Sequence, residues 1–256
     1  MLLPIGDDDR DLSGPAYVCV AIIIANILVF LIFQQAGGND AFNAGYSAIP
    51  FELTQGVDLV GTRVVRAGAE SVQIQHTPGP VPIHLTLLTS MFMHGGIMHL
   101  AGNILFLWIF GDNIEHRFGH VPFFALYLVS GLAAMVGQVL LDPSSVVPNL
   151  GASGAISGVM GAYLVLFPRN RVYAVFFFVI VTVPAVVVLG AWIFFQVIDG
   201  FGALSGQQIG GIAYGAHIGG FIAGLVLAMI LRQFISEKQS TVFSRATRSD
   251  RSRRVR

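Results

Sequence analysis

Gly151-Ala152-Ser153-Gly154 opens an apolar run over 152–167, and Ala216-His217-Ile218-Gly219-Gly220 lies near the head of another over 212–231. Reading these two runs as membrane helices decides the fold. A hydroxyl and an imidazole then enter a greasy environment at matching helix ends. Polar groups are costly within a bilayer, and their presence there marks function.

The composition supports lipid as the solvent. Of 256 residues, 54% are hydrophobic and 11% charged, with mean hydropathy +0.73. Soluble domains carry roughly 25% charged residues, so a water-soluble fold of this size would lack charge to cover its surface. Six runs approach the roughly 17–25 apolar residues needed to cross a bilayer: 16–33, 97–110 (with room to extend), 121–141, 152–167, 172–197 and 212–231. Long runs without alternation read as helices, since lipid permits only helices and closed barrels. The expected fold is an all-α polytopic membrane protein with six transmembrane helices. A segment 1–15 precedes a six-helix domain over 16–232, and a basic tail, 233–256, reads as disordered. The first run reads as a retained anchor rather than a cleaved signal.

Basic residues set the expected orientation. Arg117, Arg169, Arg171 and eight basic residues from Arg232 onward fall on one side of a six-span topology. That side reads as the cytoplasm, with both termini on it. Arg63 and Arg66 fall on the other side, within a long first external loop over about 36–96, where the rule weakens. The absence of a targeting presequence fits a prokaryotic plasma membrane.

This orientation places His94, His99, Asn103, Ser153 and His217 in one external layer, although none of them was used to derive it. His99 and Asn103 are i and i+4 and share a helix face. Ser153 heads its helix, where free N–H groups and the helix dipole favour negative charge. Gly154 and Gly158, Gly211, Gly215 and Gly219, and Gly220 and Gly224 recur four apart, a spacing that lets helix backbones approach closely in lipid.

Several residues have plainer readings. Ser153 alone would serve as an N-cap, and His217 alone as a buried neutral histidine. His94 and His99, five apart, are poorly placed as metal ligands, and there is no His-Glu-x-x-His motif. His116 and His120 read as interfacial residues, with Glu115 accepting from backbone or arginine. Asp142 before Pro143 and Asp199 before Gly200 read as turn residues. Trp108 and Trp192 read as lipid-facing or packing residues. The lone Cys19 reads as a small hydrophobe.

Taken together, His94-Gly-Gly-Ile-Met-His99-Leu-Ala-Gly-Asn103, Gly111-Asp-Asn-Ile-Glu115-His-Arg-Phe-Gly119, Gly151-Ala-Ser153-Gly154 and Ala216-His217-Ile-Gly-Gly220-Phe-Ile-Ala-Gly224 resemble the rhomboid family of intramembrane serine proteases. The resemblance covers about 16–231. It implies Ser153 as nucleophile and His217 as its base, a dyad rather than a triad. It implies an oxyanion site from the Ser153 amide, His99 and Asn103, with His94 and Gly151 supporting the site. It also implies a gate formed by the fifth segment and the following loop. No cofactor and no metal are expected. The expected partners are single-span membrane proteins as substrates and membrane lipids, with no nucleic acid. Some members stack an aromatic residue, four positions after the serine, on the catalytic histidine. Ser157 stands there in this chain, so His217 would be oriented by another residue, with Tyr163 and Tyr214 as candidates, by a water or by Ser157 itself. The rivals are a catalytically silent rhomboid-like chaperone or scaffold, and a small-solute transporter, for which the paired interrupted segments are missing.

Overall fold

A computed structural model describes residues 2–8, 14–67, 70–204 and 212–235. Most of the expected basic tail (236–256), Asp9, Asp11 and Gly211 lie outside these residues. In chain order the elements are strand β1 (Leu2–Asp7), helices α1 (Tyr17–Leu28), α2 (Asp40–Tyr46) and α3 (Pro50–Gln55), strands β2 (Gly61–Ala67) and β3 (Glu70–His76), and helices α4 (Thr86–Thr89), α5 (Ile97–Phe118), α6 (His120–Leu141) and α7 (Ser153–Leu166). Strands β4 (Arg171–Phe176) and β5 (Val179–Pro184) and helices α8 (Ala185–Leu204) and α9 (Tyr214–Phe234) follow. A π-helical turn, Val29–Phe33, extends α1.

The chain is mostly helical and reads as a membrane protein. The helices α5, α6, α8 and α9 are long and apolar enough to cross a membrane, while α1 with its π turn and α7 are shorter apolar helices. The 14 residues of α7 rise only about 21 Å, less than the roughly 30 Å hydrocarbon thickness. From Gly154 to Tyr163 every residue is buried, so α7 is the centre of the bundle and its neighbours face outward.

Glycine sets how closely those neighbours approach. A Cβ at Gly220 would overlap the Gly154 carbonyl, and one at Gly224 would overlap that of Gly158, so α7 and α9 run in parallel with their backbones touching. On the other side of α9, a Cβ at Gly137 of α6 would lie 2.5 Å from the Gly215 carbonyl. The small-residue spacing therefore packs helices, as expected, at every described position. Asn26, Tyr127 and Phe110 lie buried among the outer contacts of the same core.

Two expectations need correction. First, the chain is not all-α. The apolar run 172–197 is not one helix: its first half is the β4–β5 hairpin, and α8 begins only at Ala185. Val172, Tyr173, Val175 and Phe176 are β-branched or aromatic, types that fit a pleated surface. Val172 and Ala174 are fully buried while Tyr173 between them is exposed, a two-residue alternation that apolar residues on both faces hid from the sequence. The two-residue turn at Phe177-Phe178 has Phe177 at φ 54° without the usual Gly or Asn. β1 joins the hairpin, pairing antiparallel with β4. It is held by buried Asp7, which accepts hydrogen bonds from Tyr163, Asn113 and Asn170. The segment 1–15 thus contributes a strand.

Second, Asp199 is no turn residue but lies inside α8. Asp142 does form a turn, accepting from the Ser144 amide and hydroxyl. The long first loop is built rather than bare: α2, α3 and the β2–β3 hairpin fill it. Glu115, buried in α5, accepts from the Val18 and Cys19 amides and so satisfies two of the free N–H groups at the start of α1. His116 bonds the Asp112 and Gly14 carbonyls. Cys19 is buried.

Candidate active site

Three helices deliver polar groups to one end of the bundle. Ser153 is the first residue of α7, and no side chain caps that helix. The N–H groups of its first turn therefore keep their partial positive charge. His217 lies one turn into α9, and the side-chain Oε1 of Gln138 in α6 accepts from the Ala216 amide in that turn at 3.3 Å. Because Gly220 and Gly154 bring the two backbones together, the side chains meet. Ser153 Oγ donates to His217 Nε2 across 2.9 Å. Both residues are half-buried, so the pair is reachable from the cavity beside it.

His99 and Asn103 sit on the neighbouring face of α5. The Gly95 amide donates to His99 Nδ1 at 3.2 Å, which leaves the ring hydrogen on Nε2. That nitrogen lies against Gly151: a Cβ at Gly151 would stand 3.0 Å from it, and Gly151 has φ +136°. Only glycine lets the chain pass so close to the His99 ring before turning into α7. Asn103 is buried, and its Nδ2 has no hydrogen-bond partner. An unpaired buried donor costs roughly 1–3 kcal/mol. Asn103 lines the same cavity as Ser153.

The groups share one open cavity of about 770 Å³. Its lining includes His99, Asn103, Ser153, Ser157, Gln196 and His217, and none of the lining residues is Asp, Glu, Lys or Arg. Among the described residues, no group of three or more His, Cys, Asp or Glu has the arrangement of a metal site.

His94 lies just before α5 and is buried. The Gln34 amide brackets its backbone, accepting from the His94 N–H at 2.8 Å and donating to its carbonyl at 2.9 Å. Its ring meets that of His99 edge to face, with centroids 5.3 Å apart. Burial, with a smaller contribution from His99, pushes its pKa down to about 3, so the ring is neutral. His94 thus braces the segment that carries His99.

Neither tyrosine proposed to orient His217 stacks on it. Tyr163 is buried against Phe110 and Phe167, and Ser157 spends its hydroxyl on the Ser153 carbonyl at 2.6 Å. The aromatic neighbour is Trp192 of α8, whose ring centroid lies 5.7 Å from that of His217. One turn further along α8, Gln196 Oε1 accepts from His217 Nδ1 at 2.6 Å. From sequence alone Trp192 reads as a lipid-facing or packing residue, and Gln196 is not singled out. A glutamine inside an apolar run, i+4 from a tryptophan, was the available signal.

Several known proteins resemble this chain. A rhomboid-domain family profile matches residues 84–234. The chain is 32% identical over 160 residues to Rhomboid protein 1, mitochondrial, of Saccharomyces cerevisiae, covering 60% of this chain and 44% of that protein. It is 33% identical over 223 residues to RHOMBOID-like protein 4 of Arabidopsis thaliana, covering 82% and 51%. It is 34% identical over 145 residues to Rhomboid protease GluP of Bacillus subtilis, covering 57% and 25%. The chain thus spans about half the length of these relatives or less. With the family profile covering more than half of its residues, the chain belongs to the rhomboid family.

Proposed function

We propose that the protein is an intramembrane serine endopeptidase that cleaves single-span membrane proteins near the outer leaflet. The observation that carries this reading is the 2.9 Å contact between Ser153 Oγ and His217 Nε2, in a cavity that also holds the unpaired Asn103 amide. The similarity to the Bacillus subtilis rhomboid protease GluP supports it.

Ser153 Oγ attacks the peptide carbonyl carbon while its proton passes to His217 Nε2. The oxygen turns anionic where the Ser153 amide, His99 Nε2 and Asn103 Nδ2 can donate to it. As the C–N bond breaks, His217 returns the proton to the leaving amine, and an acyl-Ser153 ester remains. Water then attacks the ester, giving a proton to His217, and Ser153 recovers it as the carboxyl product leaves. The bundle crosses the membrane six times in this reading, with both termini cytoplasmic and the cavity open to the other side, where water enters. The basic residues favour that orientation, and a plasma membrane suits it.

Purified protein in liposomes with a single-span reporter substrate tests the reading. Wild type should cleave the reporter and react with a fluorophosphonate at Ser153, and Ser153→Ala should abolish both while the protein stays folded. Undiminished cleavage by the pure Ser153→Ala protein would sink the proposal. A folded wild type that neither labels nor cleaves would favour a silent scaffold instead.

A further inference from the structure

We infer that Gln196 is a positioning residue for the His217 base, and that together with Trp192 it makes alignment of that base depend on α8 being docked against α9. The inference rests on the peptidase reading for its kinetic consequence, but not for its geometry.

His217 can act as a base toward Ser153 only if Nε2 is bare and the hydrogen sits on Nδ1. A neutral imidazole carries one hydrogen, and the partner of the other nitrogen decides which tautomer dominates. Gln196 Oε1 lies 2.6 Å from His217 Nδ1, so it accepts the Nδ1 hydrogen and leaves Nε2 free to accept from Ser153. Trp192, at i−4 from Gln196, lies beside the imidazole with an interplanar angle of 39° and limits its rotation. Trp192 also contacts Phe221, one turn beyond His217 on α9. The two residues supply orientation from α8, while the Ser157 hydroxyl of α7 donates to Ser153 O. Gln196 also has a physical reason to hold this contact: an amide within an apolar helix is costly unless hydrogen-bonded.

The location of these residues matters as much as their chemistry. Ser153 and His217 stand on helices joined through glycine backbones, whereas α8 is the least buried of the four long apolar helices, 22% against 33–44%. Val186, Val187, Phe194, Phe195, Ile198 and Phe201 on α8 are exposed. Displacing α8 outward would leave Ser153 and His217 in place but remove the acceptor and the ring that orient the base. Catalytic competence is therefore tied to a docked α8.

Nitrogen-15 NMR of full-length protein labelled at histidine, with His217→Ala for assignment, reads the tautomer directly. Wild type should show His217 protonated at Nδ1. Gln196→Met, close in size and compatible with lipid, should give a mixture of tautomers and lower kcat about ten- to hundredfold with little change in KM. Gln196→Glu, which keeps an acceptor at the same reach, should restore the Nδ1 form and most of kcat. An unchanged tautomer and unchanged kcat in Gln196→Met would overturn the inference while leaving the peptidase intact. The expected tautomer change in a protein that cleaves nothing would instead sink the peptidase reading and keep the positioning role. Thermal unfolding of each variant separates these outcomes from misfolding, and the tautomer of folded Gln196→Glu decides the matter if Gln196→Met does not fold.

Discussion

The α7–α9 interface and the α8 contact with α9 are built by opposite means, though both converge on His217. Between α7 and α9 the contact is backbone on backbone: Gly154 against Gly220 and Gly158 against Gly224, with no room for a single carbon. Between α8 and α9 the contact at His217 is made by side chains, Trp192 and Gln196 reaching across from the least buried of the long apolar helices. The first sets the distance between the hydroxyl and the imidazole, because glycine backbones have no rotamers to adjust. The second sets the orientation of the imidazole, through groups that can leave. One site thus joins a rigid half, which brings the groups together, to a movable half, which makes them competent.

Breaking the rigid half should have the largest effect. Gly224→Val drives a branched side chain into the Gly158 carbonyl. Overpacking a core costs about 1–3 kcal/mol or more, and here the obstacle is backbone that cannot move aside. Loss of the folded state in a thermal melt, along with all cleavage, is the expected outcome. A variant with wild-type melting would mean that the helices are not in backbone contact.

Next in size is a change that spares both halves and removes only a donor. Asn103→Ala should lower kcat by about 10²–10³-fold with KM little altered, and should not destabilise the protein, since the amide is unpaired in the resting site. A rise in KM alone would assign Asn103 to substrate binding instead.

The movable half can be disturbed without touching the reacting groups. Gly200 of α8 packs against α9, a Cβ there lying 3.3 Å from Tyr214 Cβ. Gly200→Leu should wedge the helices apart and lower kcat roughly tenfold to a hundredfold, while the melting temperature stays near that of wild type. If kcat holds, α8 docking does not control the base.

At the support of the α5 end the expected effect is on stability rather than on kcat. His94 is held neutral down to about pH 3, against 6.5 when unperturbed, chiefly by burial. The unfolded chain binds the extra proton between those values, so this contribution to stability is full above pH 6.5 and is lost as the pH falls toward 3. Between pH 7 and 5, wild type should lose about 2 kcal/mol more than His94→Gln in denaturant unfolding. Equal slopes for the two proteins would remove His94 from the account.

The apolar runs, the glycine spacing and the layer shared by Ser153, His217, His99 and Asn103 were legible in the sequence, because each depends on local composition and helical periodicity. So was an acceptor role for Glu115 toward backbone or arginine, of which the structure shows the backbone partners; its burial was not legible, because a carboxylate near a helix end reads as interfacial. The run 172–197 was misread because length and hydropathy respond equally to a buried strand and a membrane helix, and the hairpin turns at two phenylalanines rather than at a glycine. β1 escaped notice because its partner lies some 170 positions away in the sequence, Leu2 pairing with Phe176.

By itself the sequence determined that this chain is a membrane protein of apolar helices with a hydroxyl and an imidazole at matching helix ends. Only the tertiary structure decided what aligns that imidazole, since the answer is a contact between Gln196 and His217 that depends on how α8 is rotated about its axis. Helix rotation is set by packing against neighbours, and no run of residues read alone records it.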